Sequence, residues 1–418
     1  MTEPEASVEP EGTPILTPRD GLPNLITELA QLQAAANSLE AGSGPVAIDA
    51  ERASGFRYSS RAYLVQLRRA NSGTFLIDPI HFTDLQPIQN ALTGVDWILH
   101  AASQDLVCLR EVGLSPTRYL FDTEVAGRLL GCARVGLGPL LLAEMGYLLA
   151  KEHSAADWST RPLPEQWLNY AALDVEFLIE LWEILSAKLH ESKKYDLALQ
   201  EFEFIRENTN PIVRTDPWRR TSGLHALRKP IELAIVRELW QARNQIAQSE
   251  DIAPGRILPD AILIEIAAQA AESSADISEL PALQGRLTRR NRRRWINAVE
   301  MALATPDSEL PATRIKSTAP PPPRAWQERN PIAFARLEQV RHAISALNEN
   351  LQIPVENLIT PEVVRRILWE PPESEIELSR MLSDYSVRPW QQELIEPILR
   401  QAIFEPLIST EPLPVTEP

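Results

Sequence analysis

The chain has 418 residues, 44% of them apolar, which is more than one compact core normally holds, so we expect roughly two to four domains. No apolar run reaches the roughly 18 residues of a membrane-spanning helix, and the acidic start lacks a secretory signal pattern, so we expect a cytoplasmic protein. The net charge of −16 argues against a uniformly basic nucleic-acid-binding surface, and two cysteines, Cys108 and Cys132, argue against a disulfide framework.

The first half of the chain mixes strand and helix signals. An acidic, Pro-rich tail over 1–20 is predicted to be disordered, and a helix is predicted around 24–40. Asn71-Ser-Gly73 is a hairpin turn sequence between two strand-like runs. We therefore expect an α/β domain with an antiparallel portion over 21–205. Its strands are predicted at 45–50, 62–68, 74–78 and 97–101, and its later helices at 104–112, 122–131, 137–146 and 165–190.

The second half of the chain is predicted to be helical. Apolar residues from Ile231 to Ile246 recur at three- and four-residue steps after Pro230, which suits a first helical turn. A helical domain is predicted over 220–305, a Pro-rich linker over 306–327, a second helical unit over 328–405 and a polar tail over 406–418. Ile252-Ala-Pro254 and Ile353-Pro354 occupy matching places in the two units, which suggests a divergent repeat.

Basic residues are concentrated locally although the chain is acidic overall. Residues 1–51 hold nine acidic side chains and one basic one, whereas residues 286–294 hold six arginines, among them Arg289, Arg290 and Arg293. Such a cluster is either a solvated surface or a contact for nucleic-acid phosphates, and the sequence alone leaves both interpretations open.

Two carboxylates lie two positions apart in the first predicted strand. Asp49 and Glu51 belong to Val46-Ala-Ile-Asp-Ala-Glu51, and a strand turns alternate side chains to the same face. Neighbouring like charges near a core cost free energy unless a cation lies between them, and Mg²⁺ or Mn²⁺ binds carboxylate oxygens. The pair therefore indicates a metal site, although two solvated acids on an exposed edge strand explain this pair alone at least as well.

Three further residues complete a candidate constellation. Asp105 follows the fourth predicted strand, in the first turn of a helix that Ser103 would cap, and Tyr170 and Asp174 share one face of a later helix. Taken singly, each has an ordinary explanation as a helix-start acid or a half-buried surface residue. Together, these acids can converge at the end of a sheet, where two divalent cations about 4 Å apart would support attack on a phosphodiester.

This order of motifs resembles the tyrosine-bearing branch of the DEDD exonuclease superfamily. The matching motifs are Asp-x-Glu at 49–51, His-Ala-x-x-x-Asp at 100–105 and Tyr-x-x-x-Asp at 170–174. The stretches 61–67, 76–79, 122–123 and 157–163 resemble the ribonuclease D family, and 225–304 resembles its HRDC domain, with 328–405 as a degenerate second copy. The resemblance implies a ribonuclease H-like α/β exonuclease domain, with a mixed sheet and helices, followed by all-α HRDC-type helical domains.

The resemblance also implies residue roles. Asp49, Glu51 and Asp174 would hold the first metal, Asp49 would bridge to the second, Asp105 would help to hold the second, and Tyr170 would position the attacking water. One departure is Ala50, where relatives often carry threonine, but that side chain faces away from the metals. His100 has a structural hydrogen bond as its alternative role, and Lys151 has a solvated position. Substrate contacts are expected from Gln66, His100, Lys151, Arg289, Arg290 and Arg293.

The activity that the resemblance implies is that of a 3′→5′ exoribonuclease, with two Mg²⁺ or Mn²⁺ ions as cofactors and nucleoside 5′-monophosphates as products. The expected partner is RNA with a free 3′ end, such as a tRNA precursor, and neither a membrane nor an obligate protein partner is expected. A DNA-directed 3′→5′ exonuclease stays open because no residue visibly reads the 2′-hydroxyl. A non-catalytic RNA-binding protein that kept the fold also stays open.

Overall fold

The computed structural model describes residues 12–149, 155–211, 214–272, 276–314 and 319–405. No helix within these ranges is both long and apolar enough to cross a membrane. The strands are β1 (Thr13–Ile15), β2 (Leu25–Ile26), β3 (Ser43–Arg52), β4 (Ala62–Ala70), β5 (Gly73–Ile77), β6 (Trp97–Leu99), β7 (Leu120–Asp122) and β8 (Tyr147–Leu149). The helices of the first half are α1 (Leu29–Ala41), α2 (Gln86–Ala91), α3 (Leu106–Glu111), α4 (Thr123–Leu129), α5 (Leu137–Met145), α6 (Glu165–Glu176), α7 (Leu178–Glu191) and α8 (Tyr195–Asn208). Those of the second half are α9 (Pro230–Glu250), α10 (Pro254–Ile257), α11 (Asp260–Glu272), α12 (Arg286–Arg289), α13 (Arg292–Leu303), α14 (Trp326–Arg329), α15 (Pro331–Leu351), α16 (Val355–Leu358), α17 (Pro361–Trp369), α18 (Glu375–Asp384) and α19 (Pro389–Phe404).

A mixed six-stranded sheet forms the centre of the first half, in the order β2-β5-β4-β3-β6-β7. The predicted hairpin is confirmed, because β4 pairs antiparallel with β5, and Asn71 (φ 64°) and Gly73 (φ 91°) adopt the left-handed backbone that suits the turn. β3 lies in the interior of the sheet, antiparallel to β4 and parallel to β6. Because β3 is not an edge strand, Asp49 and Glu51 are not two solvated acids on an exposed edge, which was the alternative to a metal site.

The two faces of the sheet pack against different sets of helices, because side chains alternate along each strand. Val46 and Ile48 belong to a buried cluster that includes residues of α1, α2 and α3. Ala47 belongs to another cluster, with residues of α4, α5, α7 and α8. The predicted α/β architecture is thereby confirmed. The helix predicted over 165–190 is in fact two helices, α6 and α7, which meet at the buried Phe177.

The helical unit that begins at α9 has its own core. Leu239, Ile246, Leu263 and Trp295 are completely buried in one cluster built from α9, α11, α13 and the segments around them. Trp295 lies beside the arginine run, but its ring is completely buried in this core and is not exposed for stacking on a base.

The second helical unit shares its core with the α/β part. Trp326, which lies in the predicted linker, is completely buried, and its indole Nε1 donates to the carbonyl of Pro321 at 2.7 Å. Glu201 of α8 is buried and accepts hydrogen bonds from Arg388 Nε and Trp390 Nε1, both at 2.7 Å. The second helical unit and the α/β part thus share one buried cluster. The division of the chain into domains at 21–205, 220–305 and 328–405 stays a prediction.

The two helical units repeat one local geometry. Helices α9 and α15 both have 21 residues and both begin at a proline. Each ends at a left-handed residue, Asp251 (φ 48°) or Gln352 (φ 54°), and a four-residue helix follows. The Gln352 corner packs on Gly131, where an added Cβ would lie 2.6 Å from the Gln352 carbonyl oxygen. This correspondence supports the divergent repeat that the sequence suggests.

Candidate active site

Asp49 and Glu51 project from the same face of β3, as strand geometry requires. In the β3–β4 ladder, Asp49 lies opposite Gln66 and Glu51 lies opposite Leu64. Both carboxylates are half-buried. The register of the ladder shifts between Glu51 and Arg52, so regular pairing ends where the chain leaves the sheet.

Helix α6 packs against β3, β4 and β5 and carries the other residues of the last motif. Tyr170 and Asp174 lie one turn apart and are hydrogen-bonded to each other. The helix ends at Glu176, whose completely buried carboxylate is anchored by two arginines. Its Oε1 lies 2.7 Å from Arg19 Nε, and its Oε2 lies 3.3 Å from Arg68 Nη1. This anchor fixes the helical turn that presents Asp174 to the sheet.

Three of the predicted acids converge. Asp49, Glu51 and Asp174 each offer one carboxylate oxygen, and these oxygens lie within 4.8 Å of one another. Residues 125 positions apart in the sequence therefore meet at one end of the sheet.

Asp105 lies beside this cluster, in the turn between β6 and α3. It follows a 3₁₀ turn over Ala102–Gln104 and immediately precedes α3. Ser103 therefore lies inside the 3₁₀ turn, and our prediction that it caps the next helix is wrong. The Asp105 carboxylate caps no helix, is largely buried, and lies 3.6 Å from Arg52 Nη2. Its charge acts on the same site, because Asp49 contributes to the shift of its pKa.

The turn that presents Asp105 is braced by Asp122 at the end of β7. The buried Asp122 carboxylate accepts hydrogen bonds from the backbone N–H of Ala101 (3.2 Å) and Ala102 (2.7 Å), and from two N–H groups at the start of α4. Burial raises the pKa of Asp122 to about 6. The sequence indicated Asp122 only as part of the family pattern, because bonds to backbone groups leave no trace in residue spacing.

Burial dominates the electrostatics of the four acids. It raises the pKa of Asp49, and it raises the pKa of Glu51, Asp105 and Asp174 well above the ordinary range. Repulsion between the carboxylates adds to this effect, and the pKa of Glu51 is raised further by each of the other three. Burial also raises the pKa of the Tyr170 hydroxyl, so Tyr170 stays protonated and can donate a hydrogen bond.

These donors fit hard divalent cations. Mg²⁺ and Mn²⁺ prefer carboxylate oxygens, and three such oxygens lie within 4.8 Å of one another, with a fourth carboxylate nearby. A cation would also remove the free energy cost of ionising several neighbouring buried acids.

The segment before α6 is fixed to the sheet by a buried ion pair. Arg161 donates from Nε and Nη2 to both carboxylate oxygens of Asp78, at 2.6 and 2.8 Å, and Asp78 is completely buried at the end of β5. Other donors of Arg161 bind the carbonyls of Trp158 and Tyr63. The buried Trp158 ring lies 6.5 Å from the Tyr170 ring, centroid to centroid. The ion pair thus supports one wall of the site.

Gln66 and His100 were expected to contact substrate, and their surroundings argue otherwise. Gln66 is completely buried, and neither of its amide atoms has a hydrogen-bond partner among the described residues. A nucleotide therefore cannot reach Gln66 in this conformation. His100 Nδ1 lies 2.9 Å from Thr123 Oγ1, and burial lowers its pKa to about 4. This is the structural hydrogen bond that the sequence left open as its alternative role.

The remaining expected substrate contacts lie elsewhere. Lys151 lies outside the described residues. Arg289, Arg290 and Arg293 are exposed on α12 and α13 and the turn between them, and Arg290 forms an ion pair with Glu250 at 3.1 Å. Arg289, Arg290 and Arg293 form a basic surface of the first helical unit, and within the described ranges none of them makes an ion pair with the carboxylate cluster.

The loop between β3 and β4 connects the site to the first helical unit. The backbone N–H of Ser59 donates to Asp251 Oδ1 at 2.8 Å, and the Tyr63 hydroxyl donates to Oδ2 at 3.2 Å. The guanidinium of Arg256 lies 4.1 Å from the centre of the Phe56 ring. Because this loop begins directly after the acidic end of β3, the helical unit is attached next to the carboxylates.

Models of protein families match three parts of the chain. A 3'-5' exonuclease model matches residues 23–190, an HRDC domain model matches 232–299, and a model of a 3' to 5' exonuclease C-terminal domain matches 319–403. The fold and these matches thus define a class of protein with a 3'-5' exonuclease domain followed by an HRDC domain. Residues 319–403 match the model of an exonuclease C-terminal domain, whereas we expected a second, degenerate HRDC domain over 328–405.

Individual proteins give the same assignment in more detail. A ribonuclease D from Jannaschia sp. is 30% identical over 347 residues, which cover 79% of this chain and 84% of that protein. The chain belongs to the ribonuclease D family. A ribonuclease D from Bartonella henselae is 31% identical over 264 residues, 62% of this chain, and the matched part spans only 64% of the relative's length. A crystal structure of a protein from Bifidobacterium adolescentis is 37% identical and superposes with a TM-score of 0.86, covering 94% of this chain and 100% of that one.

Proposed function

We propose that this chain is a 3′→5′ exoribonuclease that uses two divalent cations, Mg²⁺ or Mn²⁺, and releases nucleoside 5′-monophosphates. The observation that carries this proposal is the convergence of oxygens from Asp49, Glu51 and Asp174 within 4.8 Å, with Asp105 and Tyr170 beside them. Membership of the ribonuclease D family supports the same activity. The proposed substrate is RNA with a free 3′ end, such as a tRNA precursor.

Each residue of the site has a distinct part in this proposal. Asp49, Glu51 and Asp174 would hold one cation, and Asp49 and Asp105 would hold the other. Such cations, when bound, would lower the pKa of the attacking water and stabilise the departing 3′-oxygen. Tyr170 positions that water, since its hydroxyl is protonated and its ring, carried by α6, lies beside the ring of Trp158.

Contacts with the rest of the RNA are proposed for the basic surface of the first helical unit. Arg289, Arg290 and Arg293 are exposed there and attract phosphates without reading sequence. Lys151 stays a candidate contact from the sequence. For Gln66, complete burial opposite Asp49 on the neighbouring strand favours a supporting role next to the site.

Digestion of an oligonucleotide labelled at its 5′ end tests the proposal. The purified full chain is incubated with a 3′-tailed, tRNA-like RNA in Mg²⁺ or in EDTA, and products are resolved nucleotide by nucleotide. We expect shortening from the 3′ end in Mg²⁺ alone, and none with Asp49→Asn. A DNA strand of the same sequence runs in parallel. Faster loss of the DNA would favour the DNA-directed alternative, and no shortening of either strand would favour a binding protein.

A further inference from the structure

Arg52 is a cation at the edge of an acidic site, and the sequence-based assignment of roles did not include it. It follows Glu51 directly, at the register shift of the β3–β4 ladder. Its Nη2 lies 3.6 Å from Asp105 Oδ1. Its charge also opposes the upward shift in the pKa of Asp49 and of Glu51. The same guanidinium therefore acts on three of the four carboxylates.

The hydrogen-bonding capacity of Arg52 is largely unused. A guanidinium has five N–H donors, and those of Arg52 make no hydrogen bond to any of the described residues. By contrast, Arg161 donates to both oxygens of Asp78 and to three backbone carbonyls. The Arg52 side chain is 28% exposed, whereas that of Asp105 is 8% exposed. The Arg52 guanidinium is thus more open to solvent than the Asp105 carboxylate beside it.

A purely structural role does not account for this arrangement. The Arg52–Asp105 pair is 3.6 Å apart and makes no hydrogen bond among the described residues, so it contributes less to stability than a hydrogen-bonded pair such as Arg161–Asp78 at 2.6 Å. One positive charge also cannot balance four neighbouring carboxylates. The planar Arg52 guanidinium lies next to the acids between which a phosphodiester must bind. Two of its N–H groups can donate to two oxygens of one phosphate.

The acidity of the chain makes such a contact valuable. With a net charge of −16, the protein as a whole repels RNA, and the carboxylates add to that repulsion where the 3′ end must enter. A half-buried cation is screened by salt much less than an exposed one, so its attraction for a phosphate persists at physiological ionic strength.

We propose that Arg52 is a substrate-binding residue, whose guanidinium holds a phosphate group at the 3′ end of the RNA beside the four acids. This inference rests on the nuclease function proposed above. It assigns Arg52 to RNA affinity rather than to the chemical step, so that its loss raises KM and Kd while kcat changes little.

The test compares Arg52→Gln and Arg52→Lys with a matched control, Arg118→Gln. Arg118 is also paired with an aspartate, Asp96 at 3.3 Å, but it lies at the opposite end of β6 from Asp105. Steady-state digestion of RNA in Mg²⁺ gives KM and kcat. Fluorescence anisotropy of the same RNA gives Kd, in an Asp174→Asn background that prevents cleavage.

We expect Arg52→Gln to raise KM and Kd about 10-fold, as loss of a charge-assisted hydrogen bond would, and to change kcat less than about threefold. The slope of log Kd against log salt should become shallower by about 0.7, as for one lost phosphate contact on a single strand. Arg52→Lys should lie between Arg52→Gln and the unaltered chain, and Arg118→Gln should match the unaltered chain.

Two results would overturn the inference while leaving the nuclease function intact. One is a Kd and KM within twofold of the unaltered chain, and the other is a fall in kcat with KM unchanged, which would mean that Arg52 acts through Asp105. If the unaltered chain does not shorten RNA in Mg²⁺, the proposed function fails. The anisotropy comparison then still decides whether Arg52 binds RNA.

Discussion

Removal of Arg161 should destabilise the exonuclease part strongly. Arg161→Met deletes both hydrogen bonds, at 2.6 and 2.8 Å, that neutralise the completely buried Asp78. The carboxylate would keep one backbone donor, the N–H of Ile80 at 3.1 Å, and the more distant His81, whose Nε2 lies 3.6 Å from Oδ2 and carries a charge only when protonated. An unpaired charge left in a protein interior costs about 3–5 kcal/mol. For a unit of this size, that loss corresponds to a fall in Tm of roughly 6–20 °C.

Thermal unfolding followed by tryptophan fluorescence measures this loss, because Trp158 lies in the segment that Arg161 holds. The double variant Asp78→Asn/Arg161→Met is the matched control, since a neutral amide costs less to bury than a carboxylate. It should recover at least half of the lost Tm. A fall of less than about 2 °C in Arg161→Met, or a double variant as unstable as the single one, would refute the reasoning.

Three further predictions concern the acid cluster. Asp174→Asn should lower kcat/KM on RNA by at least ~10³-fold, and calorimetry should show that Mn²⁺ binding is lost. The Tm of the metal-free chain should rise, because one of the neighbouring like charges is gone. Tyr170→Phe should lower kcat roughly 10- to 100-fold in single-turnover digestion, with Mn²⁺ affinity unchanged, because it removes only the hydroxyl. Since Glu51 and Asp105 have a raised pKa, the folded chain binds protons more tightly than the unfolded chain, and the free energy of unfolding in EDTA should decrease as pH rises above about 4. Unfolding scans between pH 4 and 8 should therefore show that Mg²⁺ stabilises the chain most at the highest pH, and equal stabilisation throughout would contradict the assignment.

The sequence predicted those elements whose apolar pattern is long enough to be unambiguous. β3 and β4, of ten and nine residues, were recognised, as were the shorter β5 and β6, whereas β1, β2, β7 and β8 were not. These last strands have two or three residues each, and they form because a partner strand far away in the chain supplies hydrogen bonds. The break at Phe177 between α6 and α7 was missed for a related reason, since the apolar periodicity continues across it.

The residues of the site likewise fall into those that the sequence pattern predicts and those that it does not. Asp49, Glu51, Asp105, Tyr170 and Asp174 could be predicted as a set because their spacing matches a family pattern, and the structure brings them together. Arg52 could not, since its proximity to Asp105 depends on where the β3–β4 ladder changes register. The only sequence signal was a cation directly after two acids. Gln66 was misjudged because strand alternation tells which face a side chain takes, but not how deeply that face is covered.

The contact between α8 and the last helix bears on how the protein is made. The carboxylate of Glu201 obtains its two 2.7 Å partners from Arg388 and Trp390, which leave the ribosome almost two hundred residues later. Until then the acid has neither partner, and the apolar surface around it has no cover. A nascent chain that contains the four acids of the site but not the last helix therefore still lacks the partners of Glu201 and part of the core shared by the two units.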